Sequence, residues 1–369
     1  MNIAILGTRG VPNHYGGFEQ LAEYLSLGLV ERGHQVTVYN SHSHPYQQPQ
    51  WKGVTIVHQY DPEHKLGTAG QFFYDLNCIR HSRTQRFDII LQLGYTSSSI
   101  WSDLFPGHSL VVTNMDGLEW KRSKYGRFTK QFLKIAEKLA VAKSDVLVSD
   151  SKGIEKYLQA KYGVPSYYIA YGATLFNEKN PSALQPYGVT PYGYDLLIAR
   201  LEPENSIETI LEGLTRSTST RPLLVIGGLN TRLGKTLQAR FPDKRIKFLG
   251  AIYNIDVLNN LRAYSNLYFH GHTVGGTNPS LLEAMASDCL ICAHQNDFNG
   301  SILEENAYYF QTPEEVKMLL ESKTKAGAEF EKIENNRRKI EQSFSWETII
   351  SQYEACFLAS IASGRKAKT

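Results

Sequence analysis

Apolar and polar positions follow two patterns along this chain: short runs that are apolar almost throughout, and longer stretches with an apolar residue every three or four positions. Residues 2–7, NIAILG, are of the first kind, as in strands of a parallel sheet buried on both faces. Residues 18–32 are of the second: Leu21, Tyr24, Leu25 and Leu29 fall at helical spacing, and Gly33 follows as a stop. A strand at 35–39 completes a β–α–β opening, the start of a doubly wound domain. The alternation continues with strands at 54–58, 89–93, 110–113 and 146–148 and helices at 71–83, 124–142 and 151–161. Between 173 and 193 it lapses into a stretch rich in Pro, Gly and Asn, which reads as a linker. It then resumes with strands at 195–199, 223–226, 246–249, 267–270 and 290–293, and helices at 206–214, 233–240, 255–263 and 280–286. Helices at 313–320 and 329–342 follow. A last helix within 343–362 carries an apolar stripe at Ile349, Tyr353, Phe357 and Ile361, and the basic end reads as frayed. The pattern gives an α/β chain in four parts: 1–172, a linker at 173–193, a second α/β domain at 194–344, and a closing helix at 345–369.

Composition supports two cores without adding a partner. The chain has 369 residues, 42% of them hydrophobic, enough for two domains. A net charge of +3 is too mild to imply nucleic acid. The cysteines at 78, 289, 292 and 356 are scattered, which fits a reducing compartment. Cys289 and Cys292 form a C-x-x-C, but within the apolar run CLICA they read as buried thiols, since strand positions three apart face opposite sides. The opening NIAILG is too short for a signal-peptide core and lacks basic flanks, and no apolar run approaches about 18 residues. These features imply a cytoplasmic protein, with membrane contact limited to the surface.

The chemistry concentrates in residues 269–286, FHGHTVGGTNPSLLEAMA. An apolar strand runs into a glycine-rich polar loop, and Pro279-Ser280 opens a helix carrying Glu283. Proline in a first helical turn loses no hydrogen bond, and amides at a helix start beside glycines form an anion site. With Glu283 about a turn away, one reading is a ligand with phosphate at one end and hydroxyls at the other, such as a nucleotide sugar. A plain strand–loop–helix connection explains the same glycines. The first loop, GTRGVPNHYGG, offers a second candidate contact. It is not a dinucleotide fingerprint, because Gly7 and Gly10 give G-x-x-G and strand two ends at Asn40 rather than an acid. Gly16 and Gly17 directly precede a helix, and ligands of open α/β folds bind at such loops.

Four motifs taken together resemble the GT-B glycosyltransferases of the large retaining family 4, and within it the rhamnosyltransferase-like subgroup that begins GxRGxPxxYGGFE. They are Gly7–Pro12 with Tyr15–Glu19, then Asp116–Arg122 (DGLEWKR), Ala199–Asn205 (ARLEPEN), and Gly271–Ala284. The resemblance implies two Rossmann-like domains facing across a cleft, acceptor on the N-terminal one and nucleotide sugar on the C-terminal one. It implies a last helix that crosses back to the first domain.

The same resemblance assigns roles. Arg200 falls on the donor diphosphate, where a guanidinium binds two oxygens and stabilises the departing charge. Relatives carry a lysine five residues on. Here that position is Asn205, which donates a hydrogen bond without charge and leaves the task to Arg200, backbone amides and a basic residue such as Arg232 or Lys235. Glu283 matches the second glutamate of the family's Glu-x7-Glu motif and accepts from the ribose. Gly275 stands where the first would be, so Thr277, Asn278, Ser280 and the amides of Gly275 and Gly276 are the candidates for sugar and phosphate contacts. Whether His272 replaces part of the lost function stays open. Asp116 follows Met115, where relatives have histidine. It either orients a hydroxyl or caps the next turn. No Asp-x-Asp or H-x-x-x-H appears, so the expected chemistry needs no metal and no other cofactor. Family retention is commonly explained by same-face attack without a protein nucleophile.

The implied donor is dTDP-, UDP- or GDP-linked, with L-rhamnose as the subgroup's sugar, and the acceptor is a polysaccharide or lipid-linked saccharide of the cell envelope. Lys121, Arg122, Lys124, Arg127, Lys130, Lys134, Lys138 and Lys143 outnumber Glu119 and Glu137, with Trp120, Tyr125, Phe128 and Phe132 interleaved. That stretch suits anionic headgroups or a lipid diphosphate, or is a solvated helix face. Two other functions stay in view: a non-catalytic nucleotide-sugar-binding protein, for which the departures at 115, 205 and 275 leave room, and a GT-B nucleotide-sugar epimerase, which binds the same donor class.

Overall fold

The computed structural model describes residues 1–14, 16–122, 125–325 and 330–364. Tyr15, Lys124, the helix start placed at 329 and the tail from 365 lie outside the described residues. The chain divides into two compact units, residues 1–121, 125–171 and 346–369 in one, 122–124 and 172–345 in the other.

The first unit is built on an eight-stranded sheet. Its strands are β1 (Asn2–Leu6), β2 (Gln35–Ser41), β3 (Gln50–Trp51), β4 (Val54–Gln59), β5 (Ile89–Leu93), β6 (Leu110–Asn114), β7 (Val146–Ser149) and β8 (Tyr167–Tyr168). Their order is β3-β4-β2-β1-β5-β6-β7-β8, parallel except for β3 against β4. Helices α1 (Gly17–Glu31), α2 (Glu63–Leu66), α3 (Gly70–Ser82), α4 (Arg127–Lys143) and α5 (Lys152–Tyr162) connect them. Ala4, Leu6 and Ile90 from the strands pack with Tyr74, Ile79 and Phe87, full burial of each leucine, isoleucine or phenylalanine being worth about 1.5–3 kcal/mol. Because β1 leads outward to β2 on one side and the chain returns through β5 on the other, β1 and β5 mark the switch point where open sheets form a crevice.

The second unit repeats the plan with β9 (Asp195–Ile198), β10 (Leu223–Ile226), β11 (Ile246–Gly250), β12 (Tyr268–His270), β13 (Ile291–His294) and β14 (Tyr308–Phe310), all parallel and ordered β11-β10-β9-β12-β13-β14. Its helices are α6 (Ile207–Arg216), α7 (Arg232–Arg240), α8 (Ile255–Ala263), α9 (Pro279–Ala286), α10 (Asp297–Leu303), α11 (Pro313–Ser322) and α12 (Phe330–Ser343). The switch point here lies between β9 and β12. Residues 173–193 pack onto this unit: Ala173 bridges Ser345, the Phe176 amide donates to Ala286, and Leu184 is buried within a 3-10 turn at Pro181–Tyr187.

The last helix, α13 (Trp346–Ser363), belongs to the first unit and packs on α1. Arg32 and His34 donate to the two oxygens of Glu354, at 2.6 and 2.7 Å. Ile349, Tyr353 and Phe357 are buried, but Ile361 is 41% exposed. Steps of four residues advance 40° beyond a full turn, so three of them carry the stripe about 120° off the buried face. Ser360 is the residue that faces inward there.

Within the predicted stretch 124–142, α4 starts at Arg127, with Gly126 as its N-cap, and its chemistry differs from a simple basic surface. Glu137 is buried and accepts from Trp120 Nε1 (2.9 Å), Tyr157 Oη (2.8 Å), Lys161 Nζ (2.8 Å) and Tyr162 Oη (2.6 Å). Burial opposes its ionisation, yet these donors outweigh that and hold the carboxyl below its usual range. The hub ties the turn after Asp116 to α4 and α5. Lys121 and Lys134 sit over the Trp120 ring, Lys143 pairs with Asp103, and Phe128 is 95% exposed.

Candidate functional site

Each switch point carries a glycine where the loop after one strand presses on its neighbour. In the first unit Gly7 follows β1 with φ +83°, and a Cβ there would lie 2.1 Å from the Leu93 carbonyl at the end of β5. Glu19, in the first turn of α1, folds the rest of the loop: its Oε1 accepts from the Arg9 amide (2.8 Å) and the Thr8 hydroxyl (3.2 Å). Asn40 grips Val11 by both its amide and its carbonyl, at 3.0 and 2.8 Å. The residue that argued against a dinucleotide site is thus a loop clamp. Arg9 forms a two-bond pair with Glu63. Gly16 is the extended N-cap of α1 and Gly17 its first residue.

Asp116 follows β6 with φ +48°, a left-handed conformation that costs a non-glycine residue of order 1 kcal/mol and is common at functional turns. Its amide donates to Asn114 Oδ1 (2.9 Å), and Asn114 Nδ2 in turn donates to the Tyr353 hydroxyl (2.9 Å). The turn is therefore fixed by the neighbouring strand end and by α13.

In the second unit the loops after β9 and β12 interlock. Arg200, exposed, follows β9, and a 3-10 turn at Pro203–Asn205 folds back beneath it. Asn205 is buried and its side-chain amide donates to the Arg200 carbonyl at 2.7 Å. The Glu204 carbonyl accepts both the amide and the hydroxyl of Thr273, each at 2.9 Å. Gly271 lies against this turn so closely that a Cβ would meet the Asn205 carbonyl oxygen at 2.1 Å. Arg122, read in the sequence with the basic stretch, instead directs Nη1 toward Glu204 Oε1 at 3.5 Å.

The loop itself is polar and backbone-rich. Gly275 has φ +127° with open space around it. Thr277 is buried. Asn278 caps α9, its side chain accepting from the Ser280 amide, while Leu281 and Leu282 donate to the Asn278 carbonyl. With proline at 279 lacking an N–H, the first turn of α9 holds no open amide. This corrects the expectation of free amides at the helix start, because asparagine at the N-cap satisfies them locally. The Ser280 hydroxyl pairs with the Tyr268 hydroxyl at 2.9 Å. Glu283, on α9, accepts from Arg262 at 2.5 Å.

His272 stacks on His270, ring centroids 4.3 Å apart. Burial, with the nearby guanidiniums of Arg200 and Arg122, pushes the His272 imidazole down to about 3, and burial, with His272 and Arg262, pushes His270 down as well. His272 therefore stays neutral near pH 7 and brings no charge to replace the missing lysine. Its carbonyl is held by Asn296 and Asn299.

Arg200 and Asn205 thus follow β9, Gly275, Gly276, Thr277 and Asn278 lie in the loop after the adjacent β12, and Ser280 and Glu283 lie on α9, while Asp116, Gly16 and Gly17 belong to the other unit. Sequence reasoning missed Arg262, Glu204 and the clamp at Asn40. For Arg262 a signal existed: it interrupts the apolar face of a helix formed by Leu258, Leu261 and Ala263.

A family model described as a domain of unknown function (DUF1972) matches residues 103–174, which include the DGLEWKR motif. No curated protein matches the chain in sequence. Solved structures match it nearly end to end. Sucrose-phosphate synthase from Thermosynechococcus elongatus is 15% identical, with 98% of this chain and 100% of that one covered, at a TM-score of 0.79. HepE from Anabaena, solved in complex with UDP and glucose, is 16% identical over 97% and 99%, at 0.73. A glycosyltransferase from Rickettsia africae is 13% identical over 98% and 99%, at 0.71. These structures are GT-B glycosyltransferases, and the chain has their α/β architecture of two parallel-sheet domains.

Proposed function

We propose that the chain is a retaining, metal-independent glycosyltransferase of the family 4 type, a hexosyltransferase that uses a nucleotide-sugar donor. One observation carries this reading: an exposed guanidinium, a glycine-bearing polar loop and a helix with an outward carboxylate leave adjacent strands at the switch point of the second sheet. That set suits a diphosphate, a sugar and a ribose in series. The likeness to HepE, whose solved form holds UDP and glucose, supports the same class of donor.

In this reading Arg200 binds the diphosphate and neutralises charge as it leaves. Glu283 accepts from the ribose. Gly275, Gly276, Thr277, Asn278 and Ser280 contact the sugar and phosphates, and Asn205 sets the Arg200 backbone. Asp116 orients a reacting hydroxyl, and the amides at Gly16 and Gly17 contact substrate. The acceptor hydroxyl oxygen bonds to the anomeric carbon on the face from which the phosphate oxygen departs. That phosphate oxygen takes the hydroxyl proton. The proposed sugar is L-rhamnose carried on dTDP, and the proposed acceptor is a lipid-linked saccharide of the cell envelope. A membrane-surface position suits the exposed Phe128 of α4, a helix that also exposes Arg127, Lys134 and Lys138. Among the described residues no helix is long and apolar enough to cross a membrane.

The test is a panel of dTDP-, UDP- and GDP-sugars incubated with lipid-linked acceptors in anionic and neutral vesicles, with products followed by mass spectrometry. Transfer from one donor, faster on anionic vesicles, is the expected result. Binding without hydrolysis or transfer would replace this reading with a non-catalytic one, and an isomerised nucleotide sugar formed without acceptor would replace it with an epimerase.

A further inference from the structure

Arg262 closes α8 on its buried side and is among the largest fully buried side chains of the protein. Its Nη2 donates to Glu283 Oε2 at 2.5 Å and its Nη1 to Asn259 Oδ1 at 2.9 Å. Among the described residues the buried Nε has no hydrogen-bond partner. The pair is asymmetric: the arginine side chain is 2% exposed and the glutamate 20%. A sealed guanidinium is hard to justify as packing. Its desolvation costs several kcal/mol, and a hydrocarbon of similar volume stabilises such a position as well or better. Burial disfavours its charge, and the Glu283 carboxylate is the strongest influence restoring it. The C-terminal end of α8 adds a favourable dipole for a cation there.

Glu283 gains a fixed direction from this arrangement. A glutamate has three side-chain torsions, and a charge-assisted bond from a guanidinium that cannot move fixes the carboxylate at the point where it meets the surface. We propose that Arg262 is a positioning residue for donor recognition, holding the Glu283 carboxylate in the orientation that accepts hydrogen bonds from ribose hydroxyls. This rests on the nucleotide-sugar reading above.

The experiment is titration calorimetry with UDP, GDP and dTDP, each beside its 2′,3′-dideoxy form, on the full chain and on Arg262→Gln, Arg262→Lys and Glu283→Gln. A site that hydrogen-bonds a hydroxyl discriminates against the analogue lacking it, so the unaltered chain prefers the hydroxylated form of its nucleotide by about tenfold or more. Arg262→Gln is expected to bring that ratio close to one while the dideoxy form binds as before. Arg262→Lys restores part of the preference, and Glu283→Gln reproduces the loss with the arginine still in the chain but without its carboxylate partner. Equal weakening of both forms in Arg262→Gln, or an unchanged ratio in either that variant or Glu283→Gln, overturns the proposal. If Arg262→Gln does not fold, Glu283→Gln and Arg262→Lys decide by the same ratio. Failure of the unaltered chain to bind any of the three diphosphates overturns the nucleotide-sugar reading itself.

Discussion

Arg200→Ala is expected to lower donor consumption by about a hundred- to a thousandfold, the usual loss when one preorganised donor to a developing negative charge is removed. The side chain is exposed at the strand end, so little packing goes with it. The backbone of the turn does not depend on it either: the Arg200 carbonyl stays bonded to Asn205 Nδ2 and the Glu202 amide. The urea midpoint should therefore match that of the unaltered chain. The loss is expected to be large because burial, the main cause that keeps the His272 imidazole of the loop neutral, persists without Arg200, so His272 does not substitute for the guanidinium. Steady-state kinetics with the preferred nucleotide sugar checks this. A kcat/KM within a few-fold of the original removes Arg200 from the site.

Gly271→Ala is expected to act the other way, through the fold first. The added methyl would sit 2.1 Å from the Asn205 carbonyl oxygen and 3.2 Å from Ile210 Cδ1. A backbone carbonyl cannot swing aside as a long side chain can. The loops after β9 and β12 must separate, at a cost of about 2–3 kcal/mol. That separation displaces the turn holding Arg200, so donor affinity falls together with stability. Urea denaturation with calorimetric titration of the same samples measures both. Gly300→Ala, within α10 and with nothing near the new methyl, serves as the control. A Gly271→Ala chain as stable as that control would show that the two loops do not interlock as described.

Much of this architecture is legible from hydrophobic periodicity alone. The run NIAILG, the stripe Leu21, Leu25, Leu29, the all-apolar β10 and the apolar run LICA at 290–293 carry strong patterns, because strands buried on both faces and helices buried on one leave different spacings. Two-residue strands such as β3 and β8 have no period to detect, and α10 has only seven residues with glycine among them. Local satisfaction is also poorly visible in sequence. The run NPS at 278–280 reads as a helix start with open amides, but the asparagine that marks the start also occupies them. Pairings between distant positions are the least legible. Nothing in the spacing of Arg262 and Glu283, or of Trp120, Glu137 and Lys161, announces that three-dimensional packing joins them. A charged residue at an apolar helix position, as at 262 and 137, is the one available warning, and at both positions the charge proves to be buried and paired.

In the proposed function the switch point between β9 and β12 holds the donor diphosphate. A crystal structure of the chain grown with dTDP, UDP or GDP is the decisive experiment. The diphosphate oxygens should accept from the Arg200 guanidinium and from backbone amides of residues 275–277, with the ribose hydroxyls, or the single 3′-hydroxyl of dTDP, on Glu283. A nucleotide seated elsewhere, with Arg200 and Glu283 untouched by it, would remove the donor from this switch point.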